Sequence, residues 1–523
     1  MLKKKFLLLL AAVSAHVALF AQSTLDLQGL WQLSVADSLH YSGYAVLPGL
    51  VPADTPGASS ASQMWYRKSV YVPDSWRKQR VLLLLERPSG ATALYVNGRE
   101  VGDVQPSFAP HEYDVTEYII PGRRNSVTVC VSSGSSGRSG VSGQMQLRMQ
   151  QMNFHIKKVT LSPYLQYKAL RVLVELEGLP RSFFSQAPDA EIVLAPVGGE
   201  KQAYHHFSAI EGSSLDITVP LGDGMLLWDE FHPQCYRLGI AIADEFYETT
   251  FGVRDFFVTE GQAYINGYPI FLRGTVEPDF KDSADGIPMD EDAWEEIVLQ
   301  CKSFGLNCMA FSSYCPPDAA FAAADKHGFY LYPNGMEWPD AFSHHPSFMM
   351  PDSLSLLSIP VVSDRWPEVS MEEKALRFKQ EIESNLRQKD CAGFLLPDMS
   401  LCDSTWTEFC SPLVALARLP ATTFTSSDTL VVPVDFYNAM YGTVNVRNTY
   451  YITDDNQNVL TGGLLYEGEI PIGKNAGIGT VCFPLDEIRQ PARLRLNISV
   501  GRVLRNHWDF MVTPAPASAD SIQ

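Results

Sequence analysis

The spacing of apolar residues changes twice along this chain, and those two changes limit what it can fold into. Up to about residue 254, apolar and polar positions alternate in short runs, such as 69–72 and 81–85, divided by Gly, Pro, Asn and Asp. A period of two over runs this short is the pattern of strands with one buried face, so this part reads as all-β. From there to about residue 411, strand-like runs at 264–272, 306–311, 329–332 and 391–396 alternate with helix-like stretches at 290–304, 317–327 and 370–388. That alternation predicts βα units on a parallel sheet. Beyond residue 412 the helical period disappears and alternation returns, as at 494–500, which predicts a last β-sandwich.

A chain of 523 residues holds several cores at roughly 100–200 residues per domain. The first all-β stretch divides at about residue 164, and the remainder to 255 has the length of one immunoglobulin-like sandwich, with strands at 169–177 and 236–243. Asn97-Gly98 between apolar flanks predicts a tight hairpin turn, because both residues tolerate positive φ. The Ser/Gly-rich stretch 132–143 reads as a mobile loop, and 514–523 as a disordered tail. Ser370-Met371-Glu372-Glu373 matches a helix capping box. No repeat of fixed short period is present.

Residues 1–21 read as a secretory signal: Lys3, Lys4 and Lys5, an apolar run over 6–20, then Ala21 before Gln22. That run falls short of the ~20 residues that span a bilayer, and no later stretch is a second candidate. The mature chain is therefore expected to be soluble, without a membrane span, in the periplasm or outside the cell. No Cys stands at the cleavage point after the run, so no lipid anchor is expected. The net charge of −19 opposes binding to phosphate backbones, which sets nucleic acid aside as a partner.

The nine Cys include Cys301, Cys308 and Cys315, whose spacing fits no zinc or redox motif. Most are expected to be small buried apolar residues, with Cys402 and Cys410 a possible disulfide in an oxidising compartment. No metal-ligand spacing, phosphate-cradling loop or nucleophile elbow is found, so neither metal nor cofactor is expected. His344 and His345 are adjacent and are expected to point apart.

Several motifs occur in a fixed order. They are Leu27-Gln28-Gly29-Leu30-Trp31, Trp65-Tyr66-Arg67-Lys68, Leu94-Tyr95-Val96-Asn97-Gly98 and His111-Glu112-Tyr113-Asp114-Val115-Thr116. Further on stand Phe251-Gly252-Val253-Arg254, Phe271-Leu272-Arg273-Gly274, Phe304-Gly305-Leu306-Asn307 and Ala324-Asp325-Lys326-His327-Gly328. In these the chain resembles glycoside hydrolase family 2, the β-galactosidase, β-glucuronidase and β-mannosidase relatives, and within it shortened, secreted Bacteroidetes-type members. The resemblance implies a multidomain β plus α/β architecture. Its parts are a jelly-roll sugar-binding-type domain over 22–164, an immunoglobulin-like β-sandwich over 165–255, a shortened TIM-like (β/α) barrel over 256–411 and a β-sandwich over 412–513. Residues 259–410 number roughly 150, against ~250 for a full (β/α)₈ barrel.

The resemblance also says where chemistry belongs. A retaining glycosidase needs two carboxyl groups ~5–5.5 Å apart, one acid and one nucleophile. In the family the acid is the Glu of an Asn-Glu pair after a His-Pro-Ser-type motif. Here His345-Pro346-Ser347-Phe348-Met349-Met350 is followed by Pro351-Asp352-Ser353-Leu354-Ser355-Leu356-Leu357-Ser358, with no Asn-Glu and no Glu in that stretch. Where relatives carry the nucleophile after a later strand, this chain has Asp364-Arg365-Trp366, and where they carry Arg-Phe-His-Ser it has Ala310-Phe311-Ser312-Ser313. No catalytic residue is therefore expected at the family positions. Glu337 and Asp364 are the carboxylates that a relocated mechanism would recruit, and Glu277, Tyr314, Trp338, Trp366 and Asp398 are candidates for binding a glycan. The expected function is that of a non-catalytic, carbohydrate-binding pseudo-glycosidase. An active β-glycosidase with relocated carboxylates and an envelope or surface interaction module are the alternatives.

Overall fold

In the computed structural model the alternating runs become paired sheets. The structure describes residues 24–515 apart from 36, 38, 52–54, 56–61, 107–109, 133–138, 151–154, 179–188, 199–203, 210–212, 223, 243–244, 281–286, 336–341, 350–353, 356, 363–368, 389–390, 400–401, 403 and 501–503. The export signal read at 1–21 lies outside the described residues, as does most of the tail. Among the described residues no helix is long and apolar enough to cross a membrane.

In the strand Gln63–Val72, Met64, Tyr66 and Val72 are buried, and the strand pairs along its whole length with Arg123–Ser132. These two lie in the middle of a six-stranded antiparallel sheet, which a four-stranded sheet faces across a core containing Trp31, Leu83, Leu94 and Trp76. Asn97 (φ 52°) and Gly98 (φ 79°) make the expected tight turn. Of the Ser/Gly-rich stretch read as a loop, 133–138 lie outside the described residues, and the part after them is corrected. Its residues Ser139–Val141 are buried and form a strand against Gly49–Val51, and Tyr66 Oη donates to the Ser139 carbonyl.

The next sandwich has one sheet of three strands and one of four, closed on Leu170, Val172, Ile192 and Leu238. At the far end of the chain a three-stranded and a five-stranded sheet enclose Leu430, Val432, Leu496 and Phe510.

Between these sandwiches lies a parallel sheet of four strands: β1 (Leu272–Val276), β2 (Cys308–Phe311), β3 (Tyr330–Pro333) and β4 (Gly393–Leu396), in the spatial order β3-β2-β1-β4. Every residue of β2, β3 and β4 is buried, which is why these segments read as continuous apolar runs. One face packs on the helices α1 (Glu291–Ser303), α2 (Asp318–His327) and α3 (Met371–Arg387) through Met309, Phe311, Leu331 and Phe394. The other face, with Cys308, Ala310, Tyr330 and Leu395, looks inward onto Met349 and Ile265. Asp290 caps α1 by accepting from the Ala293 amide at 2.9 Å, and Ser370 caps α3 by accepting from Glu373 N at 3.2 Å, as the capping box predicts.

Two further segments extend the sheet by isolated parallel bridges, Phe348 beside Leu331 of β3, and Ser358 and Val361 beside Cys391 and Leu395 along β4. The order is thus that of the first four and last two strands of a parallel barrel. Only residues 350–357 join Met349 to Ser358. A βα crossover needs at least ~10–12 residues, so the intervening barrel strands and their helices have no room.

One expected strand is corrected. The run 264–272 is three pieces: Gln262–Ile265 and Tyr268–Ile270 form a hairpin around Asn266 (φ 52°) and Gly267 (φ 81°), and β1 starts only at Leu272. The Asn-Gly signal overrides the apolar run because a turn with positive φ at both residues reverses the chain.

Candidate functional site at the ends of the parallel strands

Side chains that follow strands of a parallel barrel gather at its carboxyl end, where barrel chemistry sits. Glu277 directly follows β1, and its amide donates to the Ala310 carbonyl of β2 at 2.9 Å. That bond brings its side chain to the loop after β2. There Glu277 Oε1 accepts from Ser312 N (3.1 Å), Ser312 Oγ (3.1 Å), Ser313 N (2.8 Å) and Ser313 Oγ (2.7 Å). Its Oε2 is buried with no hydrogen-bond partner among the described residues.

Tyr314 continues this loop but turns into the core. Its ring lies 5.3 Å from Phe311 and 6.3 Å from Phe280, and its hydroxyl donates to the Pro278 carbonyl at 3.2 Å. Burial holds the phenol well above the usual tyrosine range, so it stays neutral. Arg87 reaches in from the first sandwich and donates to the Cys315 carbonyl, which fixes the loop from the other side.

Asp398 is exposed, two residues beyond Leu396, the partner of Thr275 in the β1/β4 register. It therefore lies at the rim next to β1, while Glu277 turns the other way, toward β2. Glu337, Trp338, Asp364 and Trp366 lie outside the described residues. So do 351–353, where the family's acid belongs.

Two further clusters, the first buried and the second reaching the surface at Asp318, involve motif residues whose joint role the sequence reading missed. Glu230, in the loop of the second sandwich between the strands Ser214–Pro220 and Cys235–Ile242, is ion-paired with Arg273 of β1, and Asn307 Nδ2 donates to the other Glu230 oxygen at 2.7 Å. Asn307 Oδ1 in turn accepts from Arg273 N at 2.7 Å, and Arg273 Nε donates to the Gly305 carbonyl at 2.9 Å. The signal was available, since a motif Arg on a buried strand and a motif Asn just before another need a buried acceptor.

The second cluster corrects the expectation for the histidines. The rings of His344 and His345 do not point apart; their centroids are 4.1 Å from each other, and Asp318, His344 and His345 offer ligand atoms within 4.8 Å of one another. The tight turn before Pro346 brings them together. His345 Nδ1 pairs with Asp325 Oδ2 at 2.6 Å and Nε2 with Asp318 Oδ1 at 3.1 Å. Burial opposes its charge, yet the two carboxylates outweigh burial and hold the pKa at about 9. Both nitrogens are then donors, and a buried imidazolium offers a metal no lone pair.

None of the nine Cys, Cys402 and Cys410 included, is in a disulfide, and seven of them are buried. The pairing considered for those two is not formed.

Residues 15–153 match the family model described as glycosyl hydrolases family 2, sugar binding domain. Residues 428–514 match one described as a domain of unknown function. A β-glucuronidase of Paenibacillus borealis is 29% identical over 364 residues, 59% of this chain and 59% of that protein. A β-galactosidase of Psychromonas ingrahamii is 24% identical over 345 residues, 60% of this chain. The chain spans only about a third of that enzyme, 32% of its length. Among solved structures, a β-D-mannosidase from Dictyoglomus thermophilum is similar with a TM-score of 0.69 at 12% identity, covering 93% of this chain and 89% of that one.

Proposed function

Because the chain is a glycoside hydrolase family 2-like protein, we propose that it is exported and binds a carbohydrate without cleaving it, as a pseudo-glycosidase. The observation that carries this reading is the pairing at the ends of β1 and β2. Ser312 and Ser313 occupy positions where the family resemblance places His and Ser, and both turn their amides and hydroxyls onto Glu277. A carboxylate oxygen held by four donors is a fixed part of the rim, poorly placed to give or take a proton during a displacement. The short connection over 350–357 supports the same reading, since it removes wall from the pocket in which two carboxylates would have to converge. Export rests on the basic and apolar residues of 1–21, with the periplasm or the exterior as the destination.

The test is paired: binding on a glycan array, and release of aryl from aryl β-D-glucuronide, β-D-galactoside and β-D-mannoside. Array binding with no aryl release is the expected result. The second reading, a hydrolase with relocated carboxylates, draws on the unpartnered Oε2 of Glu277. It requires turnover that Glu277→Gln or Asp364→Asn abolishes.

A further inference from the structure

We propose that the glycan is held on the outer face of the C-terminal sandwich, in the cleft between its five-stranded sheet and the segment 404–410, and that it is a neutral oligosaccharide gripped through its hydroxyls. This rests on the glycan-binding reading above and places the binding away from the barrel rim.

Strand register builds the face. Tyr451, Asn497 and His507 are direct partners across three adjacent strands, and Thr453, Arg495 and Asp509 form the next row. Of the residues between them, Ile452 and Leu496 are buried in the sandwich core and Trp508 packs against it, so the two polar rows point outward. An outer sheet face is ordinarily open, but here Glu408 of the short helix Thr407–Cys410 stands over it, with Oε2 2.7 Å from His507 Nδ1. The result is a cavity of 480 Å³ at a domain junction, the size and location usual for a small-molecule site.

The polar groups in it are held in place before any ligand arrives. Asp509 is bracketed by Arg493 (2.6 Å) and by both arms of Arg495 (2.6 and 3.0 Å), while Asn497 Nδ2 donates to the Tyr451 carbonyl at 3.4 Å. Partial burial works against the charge of Asp509, but the two guanidinium groups outweigh it and hold the pKa at about 2. A sugar presents hydroxyls that both donate and accept, and carboxylates, amides and guanidinium groups in fixed positions satisfy both roles, with Tyr451 supplying a ring for the apolar C–H face. Charge selects the class of sugar. The lining carries Glu408, Asp454, Asp455 and Asp509 against Arg493, Arg495 and a His507 already paired with Glu408, in a chain of net charge −19, so a uronate or sulfated glycan is repelled.

Affinity electrophoresis and calorimetry on the full chain test this with galactomannan, xyloglucan and laminarin as neutral probes and polygalacturonate as the anionic one. The wild-type chain is expected to bind at least one neutral probe. Tyr451→Ala and, separately, the exposed Arg493→Ala are expected to weaken it at least tenfold with an unchanged thermal midpoint. Full affinity in both variants overturns the placement, and if Glu277→Gln then loses binding, glycan binding itself stands and belongs to the barrel rim. Binding of polygalacturonate alone overturns the neutral class. A wild-type chain that binds none of the probes overturns both the placement and the reading it rests on.

Discussion

Glu230 and Arg273 form an ion pair across a domain boundary with both side chains buried, at 9% and 1% exposure. The carboxylate belongs to a loop of the second sandwich, the guanidinium to the first barrel strand. Removing one partner strands the other charge in a low-dielectric interior, a loss of ~3–5 kcal/mol. Glu230→Ala is therefore expected to lower stability by that amount in urea denaturation, and Glu230→Ala combined with Arg273→Met is expected to be less damaging than the single change.

The His345 imidazolium makes stability depend on pH. Its pKa is about 9 in the folded chain, against 6.5 for an ordinary histidine, so the folded state retains a proton the unfolded state gives up. The contribution is complete below about pH 6.5 and declines as pH rises toward about 9, by about 3 kcal/mol in all. Denaturation midpoints measured between those pH values should fall, and His345→Gln should flatten that slope.

Gly328 ends α2 at φ 65°, where an added Cβ would lie 2.6 Å from the Glu230 carbonyl oxygen and 2.8 Å from that of Asp229. Gly335, at φ 79°, has nothing within 4 Å of the same position. Both alanine variants pay the ~1–2 kcal/mol of left-handed backbone. Only Gly328→Ala also pushes the second sandwich off the barrel, so its thermal midpoint should drop further than that of Gly335→Ala.

Thiol titration separates buried from open cysteines. In the native chain the exposed Cys482 should react first with a disulfide reagent and half-buried Cys402 more slowly, while the seven buried thiols wait for unfolding. The denatured chain should then give all nine; a total of seven would mean that one pair had oxidised.

The periodicity was enough to place the helices and three of the four parallel strands, β1 being the exception, because burial on one or both faces writes itself directly into the apolar spacing. Met371–Arg387 could be read to within a residue from Ser370 and Glu373, since its cap is local chemistry. The hairpin at Asn266-Gly267 was hidden by the strong apolar residues beside it, although the same dipeptide at Asn97-Gly98 had been legible. At the candidate site, Glu277 could be picked out by its place after a strand. Its capture by Ser312 and Ser313 could not, because that depends on the register between β1 and β2. The approach of His344 to His345 was likewise out of reach, being set by a turn and by carboxylates some 20 residues earlier in the chain, Asp318 and Asp325.

The eight residues from Met350 to Leu357 turn the question of lost activity into one of carpentry. Writing glutamates back at the family positions would set them on a frame whose far wall has been taken out and its two cut edges tied together. An engineer wanting a glycosidase from this scaffold would first have to splice in a new quarter of the barrel, and only then choose side chains.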